Sequence, residues 1–262
     1  MRGKLFHFTE SMMKNYSDDV PEDFFVHLHR TRNEAAVRAK IEAFERLGQV
    51  EKAEFRGATL AMASFYRCLG PLVELFADDG LMERIHSRML AILQAGAAMD
   101  GPRPLVFGDH GASLKRIDIH SKKKFDSVFV GRLDVEISQD RRRVCIGMEL
   151  DCARNYFDAP AQLSRVQVML GVGLLSDLAY SEAAQEYVFA YPELTGQNFG
   201  GKSALMGLDA PLSLDLGVEL PLEVPQGVHL VVTVWVWFFD DLWDEPFFSR
   251  IGSRIVEVKS EK

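Results

Sequence analysis

The stretch "HLVVTVWVWFFDDLW", residues 229–243, carries the strongest architectural signal in this chain. In an extended backbone Leu230, Val232, Val234, Val236 and Phe238 point to one face, and Val231, Thr233, Trp235, Trp237 and Phe239 to the other. A strand with one wet face alternates apolar and polar side chains. This one is apolar on both, so both faces need a cover. Each large apolar side chain left in water would forfeit ~1.5–3 kcal/mol, and a continuous Trp/Phe row would invite aggregation. The apolar run at 230–239 is too short to cross a membrane as a helix. Three covers are open: helices from the N-terminal part, a neighbouring subunit, or a ligand lying on the aromatic face. The first gives one α+β unit; the last makes Trp235, Trp237 and Trp243 a platform for a carbohydrate or another small ligand.

Other segments read as strands in the same C-terminal part: 114–120, 126–138, 142–150, 165–175, 186–191, 212–220 and 253–259, separated by Pro- and Gly-containing stretches. "SQDRR" between the second and third reads as a hairpin turn. Strands without intervening helices predict an antiparallel sandwich or barrel-like domain. Upstream the periodicity is helical. Thr31 and Glu34 have capping-box spacing ahead of Val37, Ile41 and Phe44, with Gly48 as a stop. Phe55, Thr59, Met62, Tyr66 and Leu69 share one face of a second helix that Gly70-Pro71 ends. Leu81, Ile85, Met89 and Ile92 mark a third, with Asp79 as its cap. The expected fold class is therefore α+β: a helical region of about three helices over 1–100, then an antiparallel β-rich domain over 101–262, either as two units or with the helices packed on the sheet. "MDGPRP" at 99–104 reads as the connection.

Composition limits function. Thirty-eight Asp and Glu against 30 Lys and Arg give a formal charge of −8, which argues against a nucleic-acid partner. The N-terminus has no apolar signal-peptide core, and three cysteines without a C-x-x-C pair, Cys68, Cys145 and Cys152, read as free thiols, so a cytoplasmic protein is expected.

One pattern points to chemistry. In "TGQNFGGKSALMG", residues 195–207, Gly196, Gly201, Lys202 and Ser203 fit G-x-x-x-x-G-K-S. In nucleotide hydrolases the glycines let successive amides face phosphates, the lysine adds a charge and the serine binds magnesium. Asp240 and Asp241, at the end of the apolar strand, would supply a carboxylate to that magnesium. The surroundings argue against it: "PELT" separates the preceding strand from the first glycine, and only seven residues lie between Ser203 and Pro211 where a crossover helix is required. The stretch is expected to be a Gly-rich surface loop between strands.

His27 and His29 lack a third ligand, and Asp109-His110 on a Gly-flanked loop makes a good turn, so neither a metal nor a cofactor is expected. The runs Lys122-Lys123-Lys124 and Arg141-Arg142-Arg143 would meet an anionic partner if the fold clustered them. With no coherent catalytic set, the expected function is non-enzymatic: a structural or interaction protein that presents its β-domain to a protein partner or to a second copy. The alternatives are a Mg-nucleotide enzyme using 196–203 and a small-ligand module using the tryptophans.

Overall fold

In a computed structural model of the chain, the described residues are 39, 42–96, 101–108, 110–115, 117–240 and 251–259. Beyond helical residues at 39 and 42–45 and three short 3-10 turns, they contain three α-helices followed by ten strands. The helices are α1 (Gln49–Cys68), α2 (Val73–Phe76) and α3 (Leu81–Ala95). The strands are β1 (Asp134–Ile137), β2 (Arg143–Leu150), β3 (Arg165–Ser176), β4 (Leu178–Ser181), β5 (Glu186–Phe189), β6 (Asn198–Lys202), β7 (Met206–Gly207), β8 (Leu212–Glu219), β9 (Val228–Phe239) and β10 (Ile251–Lys259). Every strand pairing is antiparallel. The chain is of the α+β class.

The apolar strand β9 lies inside the larger sheet, ordered β10-β9-β3-β6 with β7 also on β3; β1-β2-β8 form a second sheet and β4-β5 a hairpin. The two faces of β9 enter different cores. Leu230, Val232, Val234, Val236 and Phe238 pack with Val166, Val168 and Leu170 of β3 against Val144, Ile146 and Met148 of β2 and Leu212 and Leu214 of β8. On the opposite face Val231 and Trp235 join Ile255 and a helical set that includes Met62, Phe65, Ile85 and Met89. The central sheet is thus covered on one side by the smaller sheet and on the other by the helices. This accounts for a strand with no polar face, and the cover comes from the chain itself.

Close contacts set the helix layer. Gly173 lies under the end of α1, where a Cβ would stand 2.4 Å from both the Cβ and the carbonyl oxygen of Cys68. Only a glycine lets the helix approach β3 this closely. The Cys68 thiol donates to the Leu174 carbonyl (3.0 Å), and Asn198 Nδ2 donates to the Cys68 carbonyl (2.6 Å), tying helix, β3 and β6 together. Glu54 on α1 takes a fork from Arg103 (2.7 and 2.6 Å), which fixes the segment leading into the β-part. That side-chain contact lowers the Glu54 pKa against the opposing effect of burial.

Several local expectations are corrected. Residues 114–120 do not form a strand: a 3-10 turn (Gly111–Leu114) is followed by a single bridge, Asp118 to Arg254. The carbonyls of Asp118 and Ile119 instead accept from Arg84, while Ile117 and Ile119 are buried in the helix-side core. Within 126–138 only β1 is a strand, because Phe125, Val128 and Phe129 cap the end of the inter-sheet core. The cap of α3 is Gly80, with Asp78 rather than Asp79 accepting from its amide at 3.0 Å. Gly48 starts α1 rather than ending the preceding helix. The hairpin turn before β2 forms as expected, with Arg141 at φ 57°. Of the first expected helix, Thr31, Glu34, Val37 and Ile41 lie outside the described residues, as do His27, His29 and Asp109; Phe44 is buried.

Candidate functional site

A cleft lies where α3 meets the segment 115–124, with a volume of ≈ 660 Å³. Its helix wall carries Glu83, Arg84, Ser87 and Arg88; helical spacing puts 84 and 88, and 83 and 87, in register on one side of α3. The facing wall carries Lys115, Ile117, Asp118, Ser121 and Lys124. Four cationic side chains therefore face two carboxylates, in a chain whose formal charge is −8.

Asp78 holds the walls together. Its Oδ1 accepts from the Gly80 amide and from Arg84 Nη1 (3.0 and 2.8 Å), and its Oδ2 from the Ser121 amide (2.6 Å). Burial opposes its ionisation, but the hydrogen bonds from Ser121 and Arg84 outweigh that and hold its carboxyl well below the usual range. Arg84 is fully engaged, since Nη2 also donates to the carbonyls of Asp118 and Ile119 (3.1 and 3.3 Å). Lys115 is paired with Glu257 of β10. Asp118 accepts from the Phe125 amide (3.0 Å) and lies 3.4 Å from Arg254, which also forks onto Asp126. His120 stays mostly neutral near pH 7: burial pushes its pKa down, Lys123, Arg84 and Lys122 add to this, and Asp78 only partly offsets it. Arg88 and Lys124 differ from the others. Both are exposed on the walls, and neither has an ion-pair partner among the described residues.

The residues singled out in the sequence lie elsewhere. Residues 198–202 are strand β6, not a surface loop. Ser203 N donates to Val168 O and Leu174 N to Gln197 O, so the intervening amides alternate. Those facing away from β3 are spaced about 6.8 Å apart and cannot converge on one phosphate. Gly196 serves a turn at φ 85° beside Arg67, and Gly201 packs against the Gly217 carbonyl. Ser203 is buried, its hydroxyl accepting from Val168 N (3.1 Å) and donating to Ala204 O (2.7 Å). Lys202 is exposed. Asp240 is not beside them: Phe239 pairs with Arg165 on the other flank of β3. This puts Asp240 about 13 Å along the sheet and about 9.6 Å across from Ser203. Its carbonyl is held by Arg165 (3.2 and 2.5 Å). Asp241 and Trp243 lie outside the described residues.

Trp235 is 2% exposed and Trp237 half-buried; Phe76 of α2 lies over both, with ring centroids 5.8 and 5.6 Å away. Their faces meet the helix layer rather than solvent. The two basic runs also separate. Lys124 lines the cleft, whereas Arg141 is buried under the 224–228 turn and donates to the carbonyls of Val224, Pro225 and Val228. Among the described residues no three His, Cys, Asp or Glu side chains gather as a metal site, and no helix is long and apolar enough to cross a membrane.

The fold and cleft define an α+β protein with a cleft, lined by cations and carboxylates, at the junction of its helix layer and its sheet edge. Comparison with protein-family models, with curated proteins and with solved structures gave no match to this chain.

Proposed function

We propose that this chain is a non-enzymatic binding protein that engages an anionic ligand, or an anionic group of a partner, in the cleft between α3 and 115–124. One observation supports this reading above others: two exposed cations without an ion-pair partner among the described residues, Arg88 and Lys124, line one concave site in an otherwise acidic chain. Local positive potential in a recess concentrates anions more effectively than the same charges spread on a flat surface. The contact surface so assigned is the helix–sheet junction rather than the β-domain surface expected from sequence.

The test is thermal melting with citrate and inorganic phosphate, against sodium chloride of equal ionic strength, on the wild type and on Arg88→Gln/Lys124→Gln. A ligand at about 100 times its Kd stabilises by about 2.7 kcal/mol, equivalent to about 5 °C or more for a chain of this size. The wild type should shift and the double variant should not. Equal shifts in both proteins would place any bound anion away from this cleft and overturn the reading.

A further inference from the structure

We infer that β5 is a self-association edge: two copies of this chain pair their β5 strands antiparallel about a two-fold axis at Val188. The inference does not rest on the anion-binding reading.

The backbone carries it. β5 has a hydrogen-bonded strand on one side only, β4. Ala190 N donates to Asp177 O (2.9 Å), one step beyond the β4–β5 register. Bonded pairs in an antiparallel ladder recur at every second residue, so Glu186 and Val188 turn their amides and carbonyls towards β4. Those of Tyr187 and Phe189 turn outward, and among the described residues no hydrogen bond uses them. An open row of strand donors and acceptors is a template for another strand.

The side chains fit a second copy. The segment 104–106 joins β4 through the Leu105–Leu178 bridge. Leu105, Leu178, Tyr187 and Phe189 turn into the helix-side core. The alternate residues Pro104, Val106, Ala179, Val188 and Ala190 are exposed and make an apolar outer face, with Val106 42% and Val188 41% exposed. In the two-fold register each Tyr187 stands opposite Phe189 of the second copy, so the outward amides and carbonyls of both strands find partners. Val188 stands opposite its own copy, a β-branched pair, and Glu186 opposite Ala190, so no like charges meet. Two other strands at sheet edges are closed to a copy. β1 carries exposed Asp134 and Glu136, which repel one, and β10 is held by the Asp118–Arg254 bridge and by Ile255 N donating to Ile117 O.

Sedimentation velocity on the full chain tests the pairing. Small interfaces hold weakly, so the wild type should be monomeric at ~2 µM and largely dimeric at ~200 µM. Val188→Lys sets two ammonium groups face to face at the axis and should weaken the dimer about tenfold, as should Val188→Glu with two carboxylates. An equimolar mixture of the two variants should recover it as a heterodimer. Val130→Lys, at a 68% exposed valine ahead of β1, should leave association unchanged. Val188 is exposed, so its variants should melt as the wild type does. A measurement on the wild type alone stands beside them: the Tyr187 and Phe189 amides should exchange hydrogen more slowly at the higher concentration than at the lower. A monomer throughout the range, a dimer indifferent to both Val188 substitutions, no recovery on mixing, or exchange at Tyr187 and Phe189 independent of concentration would each overturn the proposal.

Discussion

Gly173 and Lys202 show how differently two positions on paired strands can matter. A methyl group at Gly173 would overlap Cys68 and push α1 off the sheet. Gly173→Ala should therefore destabilise by about 1–3 kcal/mol, read as a lower urea midpoint. Lys202 is exposed, so Lys202→Ala should stay within about 0.5 kcal/mol of the wild type. A midpoint unmoved by the glycine change would mean that α1 does not seat on β3 as described. Cys68 makes a second prediction. Burial pushes its thiol up to about 12, and the thiol donates to a carbonyl. Because the thiolate is the reactive form, Cys68 should resist a disulfide reagent in the native protein at pH 8, while the more accessible Cys145 and Cys152 react. The third thiol should appear only in denaturant; three fast thiols in the native state would contradict the packing. The residues of the G-x-x-x-x-G-K-S match were legible as a pattern, but their roles were not. A glycine that makes a turn, a serine that closes a strand end and a lysine in solvent give the same letters as a phosphate loop.

Elements built on strong periodicity were readable, and those held by side chains were not. β3 and β9 were recognisable by long apolar runs, and β8 and β10 by apolar residues spaced two apart. Residues 114–120 looked like a strand by composition. Their carbonyls go to Arg84, a tertiary partner that no local pattern announces. The cleft was hidden for the same reason: Arg88 and Lys124 belong to segments 36 residues apart, brought together by Asp78. That carboxylate gives a pH prediction. Its pKa is lower folded than unfolded, so its stabilisation is complete above the ordinary unfolded value, about 4, and is lost as pH falls through the depressed folded value. The stability advantage of wild type over Asp78→Asn should be constant from pH 7 to 5 and shrink below pH 4, measured by urea unfolding. An advantage that persists undiminished at pH 2 would exclude this ionised hub. α2 is short but covers both described tryptophans. Phe76→Ala should shift tryptophan emission to longer wavelength and cost about 1–2 kcal/mol; unchanged emission would show that other groups cover the indoles.

Across the whole molecule, a doubly apolar strand implied a layer on each side. The structure supplies both from within one chain, so the need for a second copy to shield β9 disappears. What sequence could not provide was the stacking order, because strand pairings between residues as distant as 143 and 219 depend on the path of the entire backbone.

The bridge between the cleft and the sheet has a consequence for the clock rate of local opening. Ile255 N donates to the Ile117 carbonyl (3.3 Å), and Ile117 lines the cleft. The outer edge of β10 is thus latched by the same segment that would grip a ligand. Occupying the cleft should make that latch open less often, and the Ile255 amide should exchange its hydrogen more slowly with inorganic phosphate bound, while amides in the β4–β5 hairpin keep their pace. A sheet edge would then report, in minutes of exchange, on a site that it does not itself form.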